Sequence, residues 1–177
     1  MDLRVEKTKR NIINAFLGLR SRKPIEKITI KEIAEIAQIN KATFYLHYHD
    51  IYDLTETLEK EVIQSALNNI EHPDAIFTDN KLFIRELITA IFANEPLIKI
   101  LFEGNRSGRF IELFESGIIE FVKKSYPEYN PTLERKMTVT YTIYGGYYTY
   151  LKYCDNGVET VLKIVEKCSS ALIEPYK

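Results

Sequence analysis

The stretch Thr29 to Leu54, TIKEIAEIAQINKATFYLHYHDIYDL, holds three helix-capping side chains, Thr29, Asn40 and Asp50, so close together that only short helices fit between them. The Thr29 hydroxyl can accept from the N–H of Glu32 while Glu32 reaches back to the Thr29 N–H, and Ile28 and Ile33 stand where a hydrophobic staple belongs. Ile33, Ala34 and Ala37 give this helix an apolar stripe. Asn40 caps the next one, and Phe44 and Tyr48 recur at helical spacing to hold it down. Asp50 opens a longer helix to about Ile70, with Leu54, Leu58 and Val62 on one face. The predicted local fold is helix, tight turn, short helix, long helix, with Lys41, Ala42, Thr43, Tyr45 and His47 left free to face a partner.

The rest of the chain continues the helical pattern. Apolar residues recur at three and four, glycine is scarce and proline falls between segments, which predicts an all-α protein of about nine helices with no sheet. The first helix buries Ile12, Ile13, Phe16 and Leu17 and ends near Arg22, before Pro24. His72 to Asn80 carries Pro73 and two aspartates and reads as a loop. Lys81 to Ala93 forms a fifth helix, Pro96 opens a sixth, and Arg106 to Lys124 forms a seventh. Asn130-Pro131 opens an eighth that runs to about Cys154, and Val158 to Ile173 forms a ninth. Two domains are expected, 1–67 and 68–177.

Composition narrows the class. No run of about eighteen apolar residues exists, and the N-terminal MDLRVEKTKR lacks the apolar core a signal peptide needs, so no membrane partner and a cytoplasmic location are expected. Cys154 and Cys168 fall in no metal-ligand or redox motif and read as reduced packing residues. The net charge of -1 hides an asymmetry. Up to His49 ten basic residues face five acidic ones, a surplus of about five positive charges of the kind that attracts phosphates. His47-x-His49-Asp50 lacks further ligands at zinc-type spacing, so no metal is expected; no cofactor is expected either. Nucleophile elbows and glycine-rich phosphate loops are absent, and Gly104 to Gly108 reads as a turn between helices, so the chain is not expected to be an enzyme.

With these residues in register, Thr29 to Leu54 resembles the DNA-binding domain of the TetR (tetracycline repressor) family of bacterial transcription regulators. The resemblance rests on Thr29, Ile33, Ala34, Ala37, Ile39, Thr43, Phe44, Tyr45, His47, Asp50 and Leu54. It implies a helix-turn-helix domain over 1–67 that binds double-stranded DNA, with Lys41, Ala42, Thr43 and Tyr45 in the major groove and Lys31 nearby. Thr29, Tyr45 and His47 are the implied phosphate or sugar contacts, and Asn40 is counted with the DNA-binding residues. A lysine donating to guanine O6 and N7, and apolar groups meeting a thymine methyl, agree with this placement. Three positions depart from the family. Gln38 stands where glycine is usual, in a turn that favours a left-handed residue, at a cost on the order of 1 kcal/mol. Asn40 replaces a common serine, which conserves the cap, and Ile51 replaces a lysine often aimed at a phosphate, which predicts weaker nonspecific binding.

For 68–177 the resemblance implies an effector-binding and dimerisation domain. Phe83, Phe92, Phe102, Phe110, Phe114, Tyr141 and Tyr144 are expected to line a cavity for a small-molecule effector, with Arg106 or Arg109 for an anionic group; core filling is the competing reading of these aromatics. Gly145 and Gly146 inside a helix cost roughly 2 kcal/mol relative to alanine, so a close crossing or a bend should compensate. In the family the last two long helices of each subunit form a homodimer interface, here implied for Gly145, Gly146, Tyr148, Val158, Val161, Leu162, Val165, Ser169 and Leu172. The expected function is a dimeric transcriptional regulator, a repressor of a palindromic operator released by a small molecule. The rivals are a TetR-like regulator controlled by a protein partner and an α-helical enzyme.

Overall fold

The computed structural model describes residues 3–173, and every regular element among them is helical, as the periodicity predicts. Ten α-helices follow one another: α1 (Leu3–Arg20), α2 (Ile30–Ala37), α3 (Lys41–Tyr45), α4 (Ile51–Asn68), α5 (Ala75–Thr78), α6 (Asn80–Ala93), α7 (Glu95–Leu101), α8 (Ser107–Ser125), α9 (Leu133–Tyr153) and α10 (Val158–Ile173). The helix beyond the expected nine is α5, a single turn inside the segment read as a loop. It forms because Phe77 drives its ring edge-on against Tyr126 and Tyr129, each 4.7 Å away between centroids, an anchor from distant sequence that overrides the local turn signals.

The chain divides into two compact units, one of Met1–Glu61 with Pro96–Ser107, the other of Val62–Glu95 with Gly108–Lys177. In the first unit α1 packs on α2 and α2 on α3, around Ile12, Phe16, Ile33, Phe44 and Leu54, all fully buried. Residues 96–107 return to this unit after the chain has left it, bringing the buried pair Leu101 and Phe102. Two arginines hold them there. Arg20, almost wholly buried, donates to the Glu103 carbonyl at 3.0 Å and to its carboxylate at 3.4 Å. Arg106 donates through Nε and Nη2 to the two oxygens of the fully buried Glu59 at 2.5 and 2.7 Å, a fork-on-fork pair.

In the second unit α10 packs on both α9 and α6, while α8 lies against the end of α4. A Cβ at Gly117 of α8 would stand 2.9 Å from Ile63 and 3.0 Å from Leu67, so only glycine permits that approach. Among the described residues no helix is long and apolar enough to cross a membrane.

Candidate nucleic-acid interface

The bihelical unit is built by its caps. Thr29 Oγ1 accepts from the Glu32 N–H at 3.3 Å and the Thr29 N–H donates to Glu32 Oε2 at 3.0 Å, closing the capping box. Lys23 Nζ reaches the other carboxylate oxygen at 2.6 Å. Hydrogen bonds from Lys23 and then from Thr29 hold the Glu32 carboxyl well below the usual carboxylate range, at about 2. α2 ends at Gln38, which adopts φ 56° and ψ 46°, and the Ile39 N–H closes back on the Ala34 carbonyl at 3.0 Å. The left-handed turn the sequence requires is thus made without glycine, at a cost on the order of 1 kcal/mol.

Asn40 then starts α3, its Oδ1 accepting from the Thr43 N–H at 2.7 Å and the Thr43 hydroxyl at 2.9 Å. Both Asn40 and Thr43 therefore shape the helix start as well as lining it. Phe44, fully buried and 5.8 Å from the Tyr48 ring centroid, pins the inner face. With that face fixed, Lys41, Ala42 and Tyr45 are exposed, and Thr43 and His47 are half-buried. Thr29 and Lys31 lie exposed around the start of α2, Lys31 in a loose 3.9 Å pair with Glu35. Asp50 caps α4 by accepting from the Asp53 N–H at 2.8 Å, while Asp53 accepts from the His49 N–H at 2.8 Å, which fixes where the strand of chain after α3 turns away.

All eight residues named from the sequence thus fall in one short stretch of the first unit, none of them buried. One neighbour escaped that reading. Leu46, directly after α3, is 81% exposed, an apolar side chain beside Tyr45 with nothing of its own chain to cover it. Its position between Tyr45 and His47, both of them named, was the available signal.

The residues expected around an effector cavity separate. Phe83, Phe110 and Phe114 are buried in the second unit, with the Phe110 and Phe114 rings stacked at 5.7 Å and Tyr147 5.3 Å from Phe110. Phe92 meets Tyr150 edge-on at 5.5 Å. These contacts fill a core. Tyr144 is half-buried, and burial, followed by the neighbouring Glu115 carboxylate, pushes its hydroxyl above the ordinary phenol range. Tyr141 is 68% exposed, so it does not line an enclosed space within the chain. Arg109 is half-buried on α8 of the second unit. Phe102 and Arg106 belong to the first unit, where Glu59 already neutralises the Arg106 guanidinium, so that arginine is not waiting for an anionic ligand.

The residues expected at a dimer interface divide between two roles. Gly146, Val165 and Ser169 meet at the seam between α9 and α10, where a Cβ on Gly146 would stand 3.2 Å from Val165 Cγ1, and Val161 is buried on α10. Leu162 is half-buried on the same helix. Gly145, Tyr148, Val158 and Leu172 face outward, and Gly145 has nothing within 4 Å of where a Cβ would stand. Leu133, Met137, Tyr141, Tyr148 and Leu151 continue an exposed apolar stripe along α9, and Ile164 is exposed on α10. The four- and three-residue spacing of that stripe was visible in the sequence, but periodicity does not say which of two faces stays uncovered.

For a metal, the described residues offer the group Glu71, His72 and Glu86, with ligand atoms within 4.8 Å of one another. It lies at the surface, and the His72 ring and Glu86 are joined directly at 2.6 Å. That hydrogen bond to Glu86 raises the imidazole above its ordinary range.

Comparison with known proteins adds one relative. The chain is 22% identical over 120 residues to the uncharacterized HTH-type transcriptional regulator YxbF of Bacillus subtilis (strain 168), a match that covers 64% of this chain and 32% of that protein. The chain therefore spans about a third of the relative's length. No family model matches, and no solved structure matches. Sequence likeness and fold agree at a coarse level: this all-helical chain is similar to a transcription regulator of the helix-turn-helix type.

Proposed function

We propose that the protein is a DNA-binding transcriptional regulator of the TetR type, a repressor that binds a palindromic operator as a homodimer and is released by a small molecule. The observation that carries this reading is α3, capped by Asn40, pinned by the buried Phe44, and presenting Lys41, Ala42, Tyr45 and Leu46 outward. A helix so mounted can enter the major groove with its N-terminal residues near base edges. The surplus of basic residues up to His49 supplies the salt-dependent attraction to the backbone. The exposed stripe on α9 supports the homodimer, because an apolar face of this length on a soluble chain calls for a partner. Two recognition helices about a two-fold axis would then meet major-groove faces about 34 to 36 Å apart. A ligand would act by favouring a subunit arrangement with another separation. A cytoplasmic, non-catalytic role goes with this reading.

Selection of bound fragments from random DNA tests it directly. Inverted repeats with half-sites one helical turn apart are the expected outcome. Lys41→Ala and Tyr45→Ala should each weaken binding about tenfold or more in gel shift, the value of one good groove contact, while light scattering still shows a dimer. Unchanged binding by both variants, or a monomer at micromolar concentration, contradicts the proposal.

A further inference from the structure

A cleft of about 500 Å³ lies between the start of α6 and residues 163–171 of α10, within the range of small-molecule sites. None of the aromatic residues considered above lines it. Its wall carries three ammonium groups, Lys81, Lys163 and Lys167, together with Asn80, Glu166 and Ser170. The acids in this wall are committed elsewhere. Glu166 is paired with Arg85 at 3.1 Å, and Asp79 spends its carboxylate capping the Leu82 N–H at 3.1 Å. Lys163 is tied to Glu159 at 2.7 Å. Lys81 and Lys167 form no ion pair among the described residues, and with Asp79 keeping its charge the lining carries three lysines against two carboxylates, a surplus of one positive charge.

Asn80 sharpens the point. Only 5% of its surface is exposed, it lines the cleft, and its side-chain amide makes no hydrogen bond among the described residues. Its amide is not sealed from solvent, so through the cleft it is open to a partner from outside the chain. Asn80 and Lys81 also open α6, a helix of 14 residues whose first N–H groups have no acceptor within the helix and carry its positive dipole end. Donors thus converge from the helix start, from an amide and from two lysines on different helices. That spread suits a tetrahedral oxyanion, whereas a planar carboxylate is matched best by the fork of an arginine.

We propose that this cleft is an oxyanion site that takes the phosphate group of a small phosphate monoester. Its use in regulation rests on the function proposed above; its occupancy does not. The test is calorimetric titration of the whole chain at constant ionic strength with inorganic phosphate, glycerol phosphate and acetate. Saturable binding of the two phosphates is expected, weakened at least tenfold in the double variant Lys81→Gln/Lys167→Gln and unchanged in the charge-matched Lys123→Gln/Lys124→Gln at the end of α8. Circular dichroism checks that both variants, altered only at exposed positions, keep their helices. The absence of saturable phosphate binding overturns the proposal, as does equal weakening in both variants or acetate bound as tightly as phosphate. Because no DNA enters the measurement, its failure is distinguishable from failure of the operator reading.

Discussion

Glu32 illustrates how a single side chain in this molecule does several things at once. It closes the α2 capping box and accepts from Lys23, which stitches the loop after α1 to the start of α2. Those bonds favour its ionised form, and this makes its contribution depend on pH in a defined direction. A carboxyl whose folded value is depressed stabilises the fold above its ordinary titration range and loses that contribution as the pH falls through the folded value. The stabilisation from Glu32 should therefore be full at neutral pH and disappear as the pH drops from about 4.5 toward about 2. Glu32→Gln should flatten the thermal-denaturation midpoint over that window relative to the parent chain, leaving the difference between the two largest near neutrality. Parallel curves for the two proteins would show that the carboxylate is not linked to folding.

At the level of elements, what was legible in the sequence depended on distance along the chain. Thr29 with Glu32, Asn40 with Thr43 and Asp50 with Asp53 are all three residues apart, so their caps, and hence the helix-turn-helix, were readable before any tertiary structure. The α5 turn was not, because its anchor Phe77 meets rings some fifty residues on. Tyr141 shows the same limit. Its place on a helix was plain, but its orientation toward solvent depends on which side of α9 receives α10, and spacing is blind to that. The two glycines of α9 separate these influences. Gly146→Val should destabilise the second unit by about 1 to 3 kcal/mol, since its side chain would overpack the seam with Val165. Gly145→Ala, with no neighbour in its own chain, should raise the stability of the chain by about 1 kcal/mol through helix propensity. If the stripe on α9 brings two copies together, the same alanine should loosen self-association in sedimentation, and chemical denaturation reads the stability effects of both variants.

For the molecule as a whole, the return of residues 96–107 to the first unit is the feature that local patterns least announced. Arg106 was expected at an anion-binding position and instead matches Glu59, 47 residues earlier, while Arg20 reaches 83 residues forward to Glu103. Removing one partner from a buried pair leaves a charge where water cannot solvate it, so Arg106→Ala should cost about 3 kcal/mol. Hydrogen exchange should then quicken in 96–107 and at the end of the first unit, and protection unchanged from the parent would show that the pair is not what retains this segment. The pairing also sets an order of events for a nascent chain. As the polypeptide leaves the ribosome, the helices up to α4 emerge with Arg20 and Glu59 still lacking their counter-charges, and the first unit reaches its final form only after residue 107 has cleared the exit. A chain cut short before that point would carry α3 without the pieces that complete the first unit, so that unit is not an excisable module.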